Sequence, residues 1–239
     1  MEPIYKKTFQ MEDMHIDCFG RAKPSALSYF VQEAAGDHCR LLGVDNSFLE
    51  DKNLFWAVSR TRLEITRLPL LGERITVETW PMPTSRVAYP RAVAAYDADG
   101  RELFRAVSLW VLMDRNSRNL VLPGKSGVPV EGILTGCELD TPHAIGTAPL
   151  EETTAFRVGF SLLDQNGHMN NTRYLDWLTD LLPSAFHREH PLRECVICYL
   201  NEAREGEEIT LRYGLTEDAV LTVDARRGEG RIFSAQLFF

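Results

Sequence analysis

The chain repeats its own order of elements, and that constrains its fold more than any other feature. Asp17-Cys-Phe-Gly20-Arg21 aligns with Asp164-Gln-Asn-Gly167-His168 at an offset of 147 residues, and the same offset sets Phe30 on Trp177. Around each loop the hydrophobic pattern reads strand, loop, helix and then four further strands. Self-similarity of this kind means that one unit is used twice. A helix against a run of antiparallel strands makes each unit α+β. Two such sheets are expected to join edge to edge, so that the pair forms an internal dimer.

In the first half, residues 4–11 read as a strand. Pro24 then opens a helix and Gly43 stands just past its end, the positions each residue favours. Leu27, Phe30, Val31, Ala34, Ala35, Cys39 and Leu42 recur at three- and four-residue steps and give the helix one apolar face. Ala34-Ala35-Gly36 narrows its middle, which predicts a close approach of the sheet. Strands are expected over 54–66, 73–80, 86–96 and 101–113. Ile75, Val77 and Thr79 alternate with Arg74, Thr76 and Glu78, the two-residue period of a half-buried strand. Asp97-Ala-Asp-Gly100 signals a turn. Residues 116–150 are rich in Gly and Pro without periodicity and read as a linker.

The second half follows the same order. A strand is expected over 153–162, then a helix with Tyr174, Leu175, Leu178, Leu181 and Leu182 on one face. Strands follow over 194–203, 207–215, 219–225 and 231–239. The expected organisation is an N-terminal domain over 1–120, a linker over 121–149 and a C-terminal domain over 150–239.

Composition excludes some partners. The 239 residues allow a large core without covalent staples. The 34 acidic residues against 26 basic ones leave a formal charge of -8, which offers nucleic acid no bulk attraction. Lys6, Lys7, Arg60, Arg62, Arg67, Arg115, Arg118 and Lys125 form a loose basic set in the first half, most simply solvated surface charge. No apolar run approaches the roughly 20 residues that span a bilayer. The first residues lack a leader's apolar stretch. The five cysteines make an odd count, so a reducing, cytoplasmic compartment is expected.

Several local patterns are set aside. Cys195 and Cys198 are three apart in a predicted strand and so face opposite sides, and no second pair completes a metal site. Gly124-Lys125-Ser126 resembles the end of a phosphate loop, but the earlier Gly is Asn119. Asn170-Asn171-Thr172 spells a glycosylation sequon without the compartment for it. His15, His38, His143, His187 and His190 show no partner pattern and are expected at the surface or in packing. The tryptophans are expected in the core.

Asp164-Gln165-Asn166-Gly167-His168-Met169-Asn170-Asn171 carries the chemistry. Asp164, Asn166 and His168 occupy alternate positions, so an extended loop turns all three to one side. Asn170 or Asn171 can cap the following helix, whose first amides suit a developing oxyanion. A polar turn before a capped helix would also explain Asp-x-Asn-Gly. The first-half copy keeps Asp17 and Gly20 but has Phe19 and Arg21 for Asn and His, which fits one working site and one retired site.

These residues resemble the acyl-acyl carrier protein thioesterases of the FatA/FatB type, whose motif is Asp-x-Asn-x-His-x-Asn-Asn. The chain matches it at Asp164, Asn166, His168, Asn170 and Asn171. Trp56-Ala-Val-Ser-Arg, Gly72-Glu-Arg-Ile-Thr-Val-Glu-Thr-Trp80 and Ala106-Val-Ser-Leu-Trp-Val-Leu-Met113 fall in that family's order. The resemblance spans about residues 1–115 and 150–215. It implies two tandem hotdog domains, each a long helix in a curled antiparallel sheet. The family's last catalytic residue is a Glu in Tyr-x-x-Glu-Cys. Here Tyr199-Leu-Asn-Glu202-Ala203 carries that role to Glu202 and leaves no thiol at Ala203. The Arg-Arg that precedes the family's Glu is replaced by Leu200-Asn201.

The implied reaction is hydrolysis of a fatty acyl thioester held on an acidic acyl carrier protein, with no cofactor or metal and by a monomer or homodimer. Asp164 or Glu202 would activate water or attack directly. His168, held by Asn166 or Asp164, would pass a proton to the leaving thiol. The first half would bind the acyl chain, and its basic residues would be candidates for docking the carrier. Rival readings are a coenzyme A thioesterase, a hotdog hydratase (which usually has Pro where Gly167 stands) and an acyl-binding sensor without catalysis.

Overall fold

A computed structural model describes residues 3–145 and 149–239. Residues 1–2 of the expected first domain and 146–148 of the expected linker lie outside the described residues. The first half contains β1 (Tyr5–Gln10), α1 (Pro24–Leu41), α2 (Asn46–Asp51), β2 (Leu54–Ile65), β3 (Arg74–Pro81), β4 (Tyr89–Tyr96) and β5 (Glu102–Asp114). A short β6 (Leu120–Val121) and α3 (Pro123–Ser126) follow. The second half contains β7 (Glu152–Arg157), α4 (Tyr174–Asp180), α5 (Ser184–Glu189), β8 (Glu194–Tyr199), β9 (Glu208–Leu215), β10 (Val220–Arg227) and β11 (Gly230–Phe238).

The strands form one continuous sheet in the order β1-β3-β4-β5-β2-β8-β11-β10-β9-β7, with β6 beside β5. Read inward from either edge, the two halves give the same order, so the duplication seen in the sequence is a duplication of topology. The expected edge-to-edge join is the antiparallel pairing of β2 with β8, from Arg60 opposite Cys198 to Glu64 opposite Glu194. The helices lie on one face of the sheet. Leu27, Phe30 and Ala34 of α1 share one buried cluster with Leu175, Trp177 and Leu178 of α4. Phe30 packs at a tilt on Phe9 with ring centroids 4.5 Å apart, and Trp177 stacks on Phe156 at 5.2 Å. Phe9 and Phe156 are again 147 residues apart. This is the tandem hotdog arrangement of α+β units.

Three expectations need correction. The second helix is not long: a single 3-10 turn at Asn171–Arg173 leads into α4 of seven residues, and α5 restarts after Pro183. Proline removes a donor and clashes with the preceding turn, so the apolar spacing through Leu181 and Leu182 does not continue one helix. Thr179 also turns its hydroxyl back onto the carbonyls of Leu175 and Asp176, each 3.0 Å away. The narrow Ala35-Gly36 step of α1 does not meet the sheet closely. No atom lies within 4 Å of where a Gly36 Cβ would stand, and the step borders a cleft instead.

The linker is a strap rather than a slack connection. Val128 and Val130 still pack with Cys39, Leu42 and Leu49 beside α1 and α2, and residues 132–143 then run across the opposite face of the sheet. Ile133 N–H donates to Pro81 O at 2.9 Å, Arg105 to Cys137 O at 3.3 Å and Arg60 to Pro142 O at 3.2 Å. Trp80 Nε1 donates to Glu138 Oε1 at 2.9 Å. Burial pushes the Glu138 carboxyl up, but donors from Thr135 and Trp80 outweigh it and hold it at about 2. Cys198 faces this strap, with Sγ 3.7 Å from His143 O, while Cys195 sits in the helix-side core. All five cysteines are free thiols. No helix among the described residues is long and apolar enough to cross a membrane.

Candidate active site

The Asp164 loop is built by backbone chemistry that the chain uses three times. Asp164 Oδ1 accepts from the N–H groups of Asn166 at 2.8 Å and His168 at 3.3 Å. Asp164 N–H donates to His168 O, and Gly167 takes φ +75°. Asp17 accepts from Phe19 and Arg21 in the same way, at 2.8 and 3.0 Å, with Gly20 at φ +77°. Asp97 accepts from Asp99 and Arg101 at 3.0 and 2.9 Å, with Gly100 at φ +77°. Asp and Gly are therefore what the turn itself requires. The copies differ at the third and fifth positions, which are Phe and Arg, Asp and Arg, and in this loop Asn166 and His168.

The loop meets a second segment just beyond β8. Met169 N–H donates to Ala203 O at 2.8 Å, and His168 bridges Arg204. This holds Glu202 against the loop, with His168 Nε2 3.1 Å from Glu202 Oε2. The chain leaves the strand at Tyr199, earlier than expected, and Ala203 is fully buried. Asn166 Nδ2 lies 3.4 Å from Asp164 Oδ2. The four expected site residues are thus gathered in one place, but the ring of His168 pairs with Glu202 rather than with Asn166 or Asp164.

Two arginines complete the cluster. Arg118 stands on the turn between β5 and β6, where Asp114 accepts from the N–H groups of Asn116 and Ser117. It reaches across to Glu202 Oε1 and lies 4.6 Å over the Phe55 ring. Arg204 Nη2 is 3.6 Å from Glu202 Oε2. Arg118 comes from the other half of the chain, so no local pattern in the sequence connects it to Glu202. Burial pushes the His168 imidazole below its ordinary value. Asp164 pulls it up, and Arg204 and Arg118 press it down. The ring is therefore neutral at neutral pH. With Nε2 facing the Glu202 carboxylate, a neutral ring that keeps its proton there leaves the Nδ1 lone pair available.

The predicted oxyanion role of the helix start is weakened. Asn170 caps the turn, but its Oδ1 takes both the N–H and the hydroxyl of Thr172, each at 2.9 Å.

His168, Glu202, Arg118, Asn166 and Trp56 line a cleft of about 670 Å³. A second cleft of about 530 Å³ runs beside α1, and Trp56, Asp164, Asn166 and Asn171 border both. Trp56 is half-buried at this border and Trp110 half-buried in the cleft beside α1, whereas Trp80 and Trp177 are core residues as expected. A larger cleft of about 720 Å³ lies at the first-copy loop. There Arg21 stands in the place of His168, tied to Asp17 and to the carbonyl of His187. We place the chemistry at the smaller pair of clefts because they contain the imidazole–carboxylate contact.

Fold and loop together define a duplicated hotdog protein with an Asp-Asn-His loop in its second repeat. The acyl-ACP thioesterase N-terminal domain profile matches residues 2–122, and the C-terminal domain profile matches residues 148–230. The chain belongs to the acyl-ACP thioesterase family. The chloroplastic palmitoyl-acyl carrier protein thioesterase of Gossypium hirsutum is 26% identical, over 91% of this chain and 57% of its own length. The oleoyl-acyl carrier protein thioesterase 1 of Arabidopsis thaliana is 22% identical, over 86% of this chain and 62% of its own. The chain spans little more than half the length of the curated relatives it matches. An acyl-ACP thioesterase from Bacteroides thetaiotaomicron superposes with a TM-score of 0.91 at 25% identity, covering 99% of this chain and 98% of that one. The 12:0-ACP thioesterase of Umbellularia californica shares the fold, with a TM-score of 0.86 at 19% identity over 100% of this chain and 97% of that one.

Proposed function

We propose that the protein hydrolyses fatty acyl thioesters carried on acyl carrier protein, releasing the free acid and the carrier thiol. The observation that carries this reading is the 3.1 Å contact between a neutral His168 and Glu202, beside Asn166 in an open cleft. Glu202 orients the ring, as a carboxylate does for a catalytic histidine. His168 Nδ1 takes a proton from water as the water oxygen adds to the thioester carbonyl. The side-chain amide of Asn166 stabilises the oxyanion. The carbon–sulfur bond then breaks, and His168 returns the proton to the thiolate. Asp164 shapes the loop and positions Asn166, a more modest part than attack on the carbonyl, because its carboxylate is already engaged by two backbone N–H groups.

The C-terminal domain, over 150–239, supplies this chemistry, and the N-terminal domain, over 1–120, binds the acyl chain in the cleft beside α1. For docking an acidic carrier we favour Arg115 and Arg118 at the mouth of the reactive cleft, with Arg204 beside them. Arg115 also pairs with Glu50, and Arg118 and Arg204 with Glu202, as Lys6 does with Glu78, Lys7 with Asp37 and Arg67 with Glu73. It is therefore their place at the cleft that favours Arg115, Arg118 and Arg204. Free thiols throughout fit a reducing compartment such as the cytoplasm.

The test is thiol release from palmitoyl and octanoyl thioesters, each on acyl carrier protein and on coenzyme A, by the native chain and by H168A. We expect preference for the carrier and a loss of about a hundredfold or more in H168A. Preference for coenzyme A would reassign the substrate. Binding without thiol release would make the protein a sensor. Near-native turnover in a folded H168A would remove His168 from the mechanism.

A further inference from the structure

The cleft beside α1 contains a charge that a hydrocarbon slot does not need. Arg91 lies in the middle of the sheet on β4 and is only 7% exposed. Along β4, Ala92 and Ala94 pack with Trp80 on the strap side, whereas Val93 and Ala95 join the helix-side core. The two-residue alternation of a strand turns Arg91 to the helix side as well. Its contacts agree. Nη1 lies 3.1 Å from His38 Nδ1 and 3.3 Å from Thr79 Oγ1, and Nη2 lies 3.7 Å from Cys39 Sγ.

None of the three partners is a carboxylate, and no carboxylate among the described residues pairs with this guanidinium. The Thr79 hydroxyl proton is already given to Ala92 O at 3.0 Å. A guanidinium carries five N–H donors, and these contacts use at most three. A buried charge without a counter-charge is costly, and a purely aliphatic guest would leave that cost in place. Yet Arg91 lines the same cleft as Asp164, Asn166 and Asn171 of the reactive loop. The walls between are Trp56, Trp110, Ala35 and the open backbone at Gly36. Glu33, Arg40 and Asp45 also line this cleft, but of its charged residues Arg91 alone is buried.

We propose that Arg91 is a polar subsite of the acyl slot, so that the preferred substrate is a thioester whose chain carries an accepting oxygen (hydroxyl, keto or carboxylate) rather than an unsubstituted hydrocarbon chain. This rests on the hydrolase reading for where the thioester sits. His38 and Thr79 hold the planar fork from behind, and the remaining N–H groups meet the guest's oxygen.

The experiment measures kcat/KM for carrier-linked chains of short, medium and long length, each plain, ω-hydroxylated or ω-carboxylated. Varying the length moves the terminal oxygen along the slot. At the best length we expect the oxygen-bearing chain to be favoured about tenfold or more, the effect of one charge-assisted hydrogen bond. R91M should collapse that ratio to near unity, and R91K, which keeps the charge but loses the fork, should keep part of it. The carboxyl and hydroxyl arms separate an anionic guest from a neutral acceptor. A native preference for plain chains at every length overturns the proposal, as does an unchanged ratio in R91M. If R91M fails to fold, the native ratio and R91K decide. If no thioester is cleaved, the hydrolase reading fails by itself. Calorimetric binding of the free ω-carboxy acid then tests the subsite, with binding about tenfold weaker in R91K expected and equal binding overturning it.

Discussion

The proton inventory of the site is set by burial and by three charged side chains that oppose one another around one imidazole. Burial holds His168 below 6.5, Asp164 pulls it upward, and Arg204 and Arg118 press it down. If neutral His168 is the base, kcat/KM is flat above its folded-state pKa and falls as the ring protonates. The acid limb should therefore lie below pH 6.5, not at it. Arg204 is well exposed, so removing it leaves the loop largely undisturbed and deletes one of the two cations that disfavour protonation. In R204A the ring should protonate more easily, and the acid limb should move to higher pH. High salt should shrink the difference between the two profiles, since an exposed charge is screened. A profile that moves to lower pH in R204A, or does not move, would show that this limb does not report His168. Asp164 shows the limit of reading one residue from a motif. Its alternation with Asn166 and His168 was legible in the sequence, but so was an ordinary polar turn. The structure gives Asp17, Asp97 and Asp164 the same backbone duties.

At the scale of elements, legibility followed periodicity. Pro24 and Gly43 bracket α1, and the alternation of Ile75 and Val77 marks β3. The second helix was misread because Leu181 and Leu182 continue the apolar spacing of α4 up to Pro183, and spacing alone does not register the break. The approach of Glu202 to His168 was reached by resemblance only, because a backbone bond from Met169 to Ala203 sets it. The sequence offered Arg118 only as a candidate for docking the carrier, and neither its contact with Glu202 nor the burial of Arg91 could be read, since each acts on a group distant in sequence. The strap was invisible for another reason: an extended segment with Gly and Pro has no period to detect. It nonetheless packs tightly. A Cβ on Gly132 would collide with the Met82 carbonyl and Pro83 N, all backbone that cannot swing aside. At Gly136, with φ +88°, a Cβ would meet nothing within 4 Å. G136A should cost about 1 kcal/mol, from its left-handed backbone alone. G132A should cost about 2–3 kcal/mol or more by displacing the strap. Thermal or denaturant unfolding of the two variants measures this, and equal stability would mean that the strap contributes little to the fold.

The whole molecule joins two units that the sequence presents as separate domains. Two paired units with a flexible connection would unfold independently, and their family profiles even end on either side of the strap. The physical connections are of another kind. At the seam, five residues of β2 pair with five of β8, so neither half has a free sheet edge there. Leu63 and Ala106 of the first half and Cys195 and Ile197 of the second lie in one buried cluster on the helix side. On the opposite face the strap reaches both seam strands, through Arg60 to Pro142 O and Cys198 to His143 O. Separating the halves would unpair the mostly apolar Cys195–Cys198 stretch of β8, a template for aggregation, and would take Arg118 away from Glu202. We therefore expect one calorimetric unfolding transition, with calorimetric and van't Hoff enthalpies in agreement. H168A should leave that single transition in place while turnover is lost. R118A should also unfold in one step, but with its acid limb moved to higher pH, since Arg118 presses His168 down from the other half. Two resolved transitions would mean that the seam is a contact between independent domains. The reactive pair in the second half would then be coupled to the first half only through Arg118 and the shared clefts, and cutting the strap between the halves should leave each one folded.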